Sequence, residues 1–219
     1  MGKINPKALD LFCGLGGMSD GLATEGFEVL GVEIDPRIAG LYDHPVIVAD
    51  VRDLDPTEFA GYDLIVGSPP CRDFSSLARM WGHTWKRPPD PEGVGLSLVN
   101  AFLNFIAVAK PKFWIMENVP GLCSYLELQP RFKVKLGQTM KRCFWGNFPS
   151  FLVPRDMNKK PFFKRDKNRM RRRSIRHKKI LEDVPGWLSD QWERARIPLP
   201  FSRALGKAVF NELRAEPHG

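Results

Sequence analysis

The sequence predicts an α/β fold built on a mostly parallel sheet with helices on both faces. Five short runs carry that expectation: Ala8 to Phe12, Phe27 to Val32, Val46 to Ala49, Asp63 to Gly67 and Phe113 to Met116. Each is apolar nearly throughout rather than alternating, as strands buried on both faces are. Helical or turn-rich stretches separate them, as parallel crossovers require. The third observation is that glycine, acid or cysteine follows closely after each run, at the carboxyl edge where open α/β sheets bind ligands.

The chain has 219 residues, 43% hydrophobic and 26% charged, enough for one domain and a small appendage and too ordinary for wholesale disorder or a fibre. No repeat is visible. No apolar run reaches about 18 residues, and Met1 to Pro6 lacks an export signal, so a cytoplasmic location away from membranes is expected. The cysteines at 13, 71, 123 and 143 form no C-x-x-C pair, which argues against a disulfide framework or a zinc site; no metal is expected.

The first strand leads into Asp10-Leu11-Phe12-Cys13-Gly14-Leu15-Gly16-Gly17, where glycines permit a tight turn and close backbone approach to a ligand. The second ends in Glu33-Ile34-Asp35, placing an acid where ribose hydroxyls could bond. Asp50-Val51 closes the third, a place for a carboxylate to meet an adenine amino group. Turn glycines and helix-capping acids alone would look similar, but three successive strand ends carry what a nucleoside-containing cofactor needs. The fourth strand ends in Ser68-Pro69-Pro70-Cys71-Arg72, two prolines stiffening the backbone before a thiol that Arg72 or Arg79 could activate. An isolated cysteine would more often be a small core residue.

Val94 to Ala109 reads as a largely buried helix with a narrow polar face at Ser97, Asn100 and Asn104, ended by Pro111. The fifth strand then delivers Glu117-Asn118-Val119 to the edge beside the thiol. Arg79 to Gly95 has the composition of a long functional loop. Near the end, Ser202 caps an expected helix over Arg203 to Ala215, with Leu205, Val209 and Leu213 on one face.

Charge is concentrated. The net charge is +8, yet thirteen Lys or Arg against Asp156 and Asp166 give +11 between Arg155 and Lys179, so the remainder is mildly acidic. Such a segment suits a polyanion, above all nucleic acid. The bland alternative is a solvated basic loop.

Taken in order, Asp10 to Gly17, Glu33-x-Asp35, Asp50, Pro69-Pro70-Cys71 and Glu117-Asn118-Val119 resemble the successive motifs of the cytosine-5 DNA methyltransferase family, over about residues 7 to 147. The resemblance implies a class I, Rossmann-like fold binding S-adenosylmethionine and a DNA partner. Phe12 would contact adenine, Gly14, Gly16 and Gly17 would approach the amino acid end, Glu33 would hold the ribose with Ile34 alongside, and Asp50 would bind the adenine amino group beside Val51 and Pro70. Cys71 would add to C6 of a flipped cytosine, Glu117 would bind its N3 and exocyclic amine, and Arg142 would complete the catalytic set. Ser75, Arg72, Arg79, Asn118 and Gln138 would meet nucleic acid, joined by Lys164, Arg165, Arg171, Arg172 and Arg173 of the basic segment.

The chain departs from the family pattern in four places. Met140 replaces the middle arginine of the Gln-x-Arg-x-Arg motif at Gln138 to Arg142, Arg72 stands where glutamine is common, Ile34 stands where an aromatic is usual, and the final Gly-Asn pair is missing. Only 59 residues, Cys143 to Phe201, occupy the place of the target-recognition domain. The expected division is therefore a catalytic domain over 1–149, a short basic nucleic-acid-binding segment over 150–200 and a terminal helix over 201–219 that packs back on the domain. Short or relaxed specificity follows unless a partner supplies the readout; the oligomeric state stays open, with a monomer favoured. Two other readings remain at this point: the same chemistry on RNA or a free nucleotide, and a non-catalytic nucleic-acid-binding protein that keeps the fold.

Overall fold

Leu9, Leu11, Leu64, Ile65, Val66 and Ile115 have no solvent-accessible surface at all, so the predicted runs do line the centre of a covered sheet. The structure, a computed structural model, describes residues 5–76, 88–136, 140–154 and 196–215. Its strands are Lys7–Leu11 (β1), Glu28–Glu33 (β2), Val46–Val48 (β3), Leu64–Gly67 (β4), Phe113–Asn118 (β5), Phe132–Leu136 (β6) and Met140–Asn147 (β7). They form one sheet in the order β3-β2-β1-β4-β5-β7-β6. Only β7 runs against the others, pairing antiparallel with both β5 and β6. Because β1 lies between β2 and β4, the chain reverses its direction of travel across the sheet there, and the loops after β1 and β4 open a crevice between them.

Two apolar layers cover the sheet. On one face lie helix α1 (Gly17–Thr24) and the terminal helix α4 (Leu199–Ala215), whose Met18, Leu22, Phe201, Leu205, Val209 and Leu213 pack with Ala8, Val66, Ile115 and Phe144. On the other, α3 (Leu96–Ala109) inserts Val99, Phe102, Phe105 and Ile106 against Leu9, Leu11, Ile65, Met116 and Trp145. The short helix α2 (Pro36–Ala39) follows β2.

Three expectations need correction. Helix α3 begins at Leu96, not Val94, because Asp90 organises one wide turn over Pro91–Gly95: its carboxylate accepts from Gly93 N and Val94 N, and its carbonyl from Gly95 N. Its outer face is broader than predicted, with Ala107 and Val108 exposed beside Ser97, Asn100 and Asn104. Pro91–Ala109 passes, at 19 residues and mean hydropathy 1.5, a test of length and composition for a membrane span that the core helix of a globular domain passes equally. Its inner face is committed to the sheet. Finally, Ser202 does not cap α4, which starts three residues earlier. Pro198 O accepts from Phe201 N and Ser202 N, Pro200 sits in the first turn where its missing N–H costs nothing, and the Ser202 hydroxyl donates back to Leu199 O.

Candidate active site

The turn after β1 is built from left-handed backbone: Phe12 has φ 59, Gly14 φ 51 and Gly16 φ 76. It is stitched by Gly16 N donating to Cys13 O at 2.9 Å and Cys13 N to Val32 O at 3.0 Å. The three predicted glycines do three different things. A Cβ added at Gly14 would meet nothing within 4 Å, so this backbone faces open space. One at Gly16 would lie 3.0 Å from the Tyr42 ring. One at Gly17 would lie 2.6 Å from Ile197 N, so this glycine admits the segment before α4 on its Cβ side.

Glu33, at the end of β2, accepts from Gly14 N at 3.1 Å and from Asp35 N at 3.0 Å. Burial nevertheless pushes its carboxyl up, the two amides opposing. Asp50, after β3, caps the turn that follows and is gripped by Arg52 through Nε at 3.0 Å and a terminal nitrogen at 2.5 Å, which holds its carboxyl below the usual range. Ile34 is 61% exposed beside Glu33, whereas the Val51 side chain is buried in the layer under β1. Pro70 is exposed and Phe12 half-buried. An open left-handed glycine, two carboxylates and an exposed apolar side chain at adjacent strand ends fit the nucleoside and amino acid parts of S-adenosylmethionine.

The neighbouring loop carries the reactive groups. Register places Gly67 of β4 opposite Met116 of β5, so Ser68 and Cys71 leave the edge beside Glu117. Glu117 is 6% exposed and accepts a hydrogen bond from the Ser68 hydroxyl. Arg142 Nε, from β7, lies 2.7 Å from Glu117 Oε1 as an ion pair, and among the described residues that buried oxygen accepts no hydrogen bond. Burial pushes this carboxyl up and the Arg142 charge opposes. Cys71 opens the short turn Arg72–Phe74, with Phe74 N donating to its carbonyl at 3.2 Å. Burial raises its thiol, the Glu117 charge raises it further, and Arg142 pulls it back. Among the described residues, the cation that opposes this rise is Arg142 rather than Arg72. Arg79 lies outside the described residues, as do Gln138, Lys164, Arg165, Arg171, Arg172 and Arg173.

Asn118 is a further correction. It has no exposed surface; its Nδ2 donates to Pro69 O at 2.9 Å and its Oδ1 accepts from Val119 N at 2.8 Å. It braces the cysteine loop from beneath and cannot touch nucleic acid. Ser75 and Arg72 are half-buried near the loop.

Sequence reasoning missed Ser68, although its place directly after β4 signals a polar group at the edge. It also missed a buried network beneath the glycine turn. Ser19 donates to Asp10 at 2.5 Å and lies 2.6 Å from the Tyr42 hydroxyl, while Asp20 holds both His44 and Arg196. These partners are far apart in sequence, so no local pattern reveals them.

Comparison with known proteins agrees with this geometry. The C-5 cytosine-specific DNA methylase family matches residues 7–140. Type II methyltransferase M1.HphI of Haemophilus parahaemolyticus is 31% identical over 163 residues, covering 67% of this chain and 42% of that protein. Type II methyltransferase M.AquIA of Picosynechococcus sp. is 33% identical over 136 residues, 54% of this chain and 50% of that protein. A crystal structure of a Spodoptera frugiperda DNMT2 mutant aligns at 17% identity and TM-score 0.43, covering 74% of this chain and 54% of that one. The chain thus spans about half the length of the curated relatives it matches.

Proposed function

The chain belongs to the C-5 cytosine-specific DNA methylase family, and from that premise we propose that it methylates C5 of cytosine in DNA. The observation that carries this reading is the grouping of Cys71, Glu117 and Arg142, with Glu117 Oε1 buried and accepting no hydrogen bond among the described residues. A buried oxygen in that state wants a partner, and the exocyclic amine of a flipped cytosine supplies one. A carboxyl pushed up by burial holds a proton that it can share with N3 on its other oxygen. Once protonated and paired, Glu117 no longer repels charge on Cys71, and Arg142 favours the thiolate. The thiolate then adds to C6 and makes C5 nucleophilic.

Gly14, Glu33, Asp50 and Ile34 would hold S-adenosylmethionine, with Phe12 and Pro70 beside it. When bound, that cofactor supplies the electrophilic methyl group. Loss of the C5 proton afterwards expels the Cys71 sulfur. All the catalytic groups come from one chain, so a monomer suffices, and the reaction belongs in the cytoplasm, where DNA and cofactor meet. The basic stretch Arg155 to Lys179 is assigned to phosphate contacts in place of a full recognition domain. The test is transfer of label from S-adenosylmethionine to duplex DNA, tRNA or dCMP in turn. The expected result is label in DNA, lost in Cys71→Ser; label only in tRNA or dCMP, or in none, overturns the reading.

A further inference from the structure

The β6–β7 hairpin carries a charge pattern that the reaction does not use. Along β6, Phe132, Val134 and Leu136 turn into the layer shared with α4, so Lys133 and Lys135 turn to the other face, and both are exposed. On β7, Cys143 and Trp145 belong to the opposite layer, which puts Lys141 on the same face as the two β6 lysines. Lys135 stands directly opposite Lys141, and Lys133 opposite Cys143, whose thiol burial raises while the Lys133 charge opposes. Among the described residues, none of the three lysines has a carboxylate partner.

Like charges facing each other across a ladder weaken a hairpin. Nothing in the packing of this one requires them. They stand, moreover, at the carboxyl edge: β6 runs with β5, so Lys135 near its end and Lys141 near the start of β7 lie at the edge that presents Glu117. Arg142, the next residue, reaches Glu117, while its other arm donates to Lys141 O. Glu117 stands opposite Phe144 and so faces the α4 layer, whereas the three lysines face the α3 layer; what they share with the catalytic carboxyl is the edge of the sheet, from which a nucleic acid must approach it.

We propose that Lys133, Lys135 and Lys141 form a phosphate-binding ridge that seats the DNA backbone beside the flipped base. The proposal rests on DNA being the substrate. Phosphate contacts of this kind position a duplex without reading its sequence and carry a salt dependence of about 0.9 per neutralised phosphate. The experiment is fluorescence anisotropy of the full chain with two unrelated duplexes across a salt series, for wild type, the triple Lys→Ala variant and the triple Lys→Arg variant. All three positions are exposed, and circular dichroism with calorimetric titration of S-adenosylmethionine checks that fold and cofactor site persist.

The alanine variant is expected to lose affinity equally for both duplexes, and its salt slope to fall by about 2 to 3; the arginine variant keeps both. An unchanged slope in an otherwise active protein overturns the ridge alone. A wild type that methylates no DNA and binds RNA in preference overturns the DNA reading and the ridge with it.

Discussion

At the scale of single residues, the site is controlled by burial working against charge. The Cys71 thiol is raised by its surroundings and restrained by Arg142, so kcat/KM should climb with pH beyond the ordinary thiol range. Removing the cation in Arg142→Ala should move that limb further to alkaline pH, as a pH-rate profile would read. A limb that stays in place or moves to lower pH would take Arg142 out of the account. Asn118 acts through its grip on Pro69 O: Asn118→Ala should lower kcat by about 10- to 100-fold while leaving cofactor binding within twofold, because the loop it steadies positions the thiol. Equal losses in both would make Asn118 merely structural.

Asp10 gives a stability test. Burial raises its carboxyl to about 7 in the folded chain from 3.8, so the folded state binds the extra proton between those values. Its stabilising share is full below about pH 4 and is lost as pH rises towards 7, at up to about 1.4 kcal/mol per pH unit. Asp10→Asn, which keeps an acceptor for Ser19, should flatten denaturant-measured stability across that window. A slope identical to wild type would contradict the assignment.

Between elements, α4 packs tightly on α1. A Cβ at Gly21 would fall 2.4 Å from the Ser202 carbonyl carbon, so Gly21→Ala must separate the two helices. The expected loss is about 1 to 3 kcal/mol, seen as a lower Tm in calorimetry; an unchanged Tm would mean that α4 is not held there. This is also where the sequence stopped being legible. Strands β1 to β5 are nearly continuous apolar runs, and each expected end lies within one residue of the observed one except the end of β5, two residues further on. Strand β6 reads Phe-Lys-Val-Lys-Leu, a period of two that was open to recognition but hidden between turn residues and the motif after it. The start of α4 was misplaced because Ser202 has the right chemistry for a cap, while Pro198 and Pro200 set the turn earlier. The clasp of Asp20 with His44 and Arg196 joins distant segments and has no local signature.

For the molecule as a whole, sequence order became spatial order at one edge of the sheet. The residues called for by chemistry, Gly14, Glu33, Asp50, Cys71 and Glu117, all stand at or just after the carboxyl ends of strands that run the same way, so a parallel sheet gathers them without further information. Asn118 stands next to a true edge residue but turns its side chain inward, a distinction set by packing rather than by motif. Catalysis turns on a bond between the Cys71 sulfur and a cytosine ring held by Glu117. The most direct measurement is mass spectrometry of the protein incubated with S-adenosylmethionine and a duplex containing 5-fluorocytosine, whose fluorine cannot leave as the C5 proton does. The account predicts a stable protein–DNA adduct that maps to Cys71 and disappears in Cys71→Ser. An adduct on another residue, or none from a protein that methylates the ordinary duplex, would contradict it.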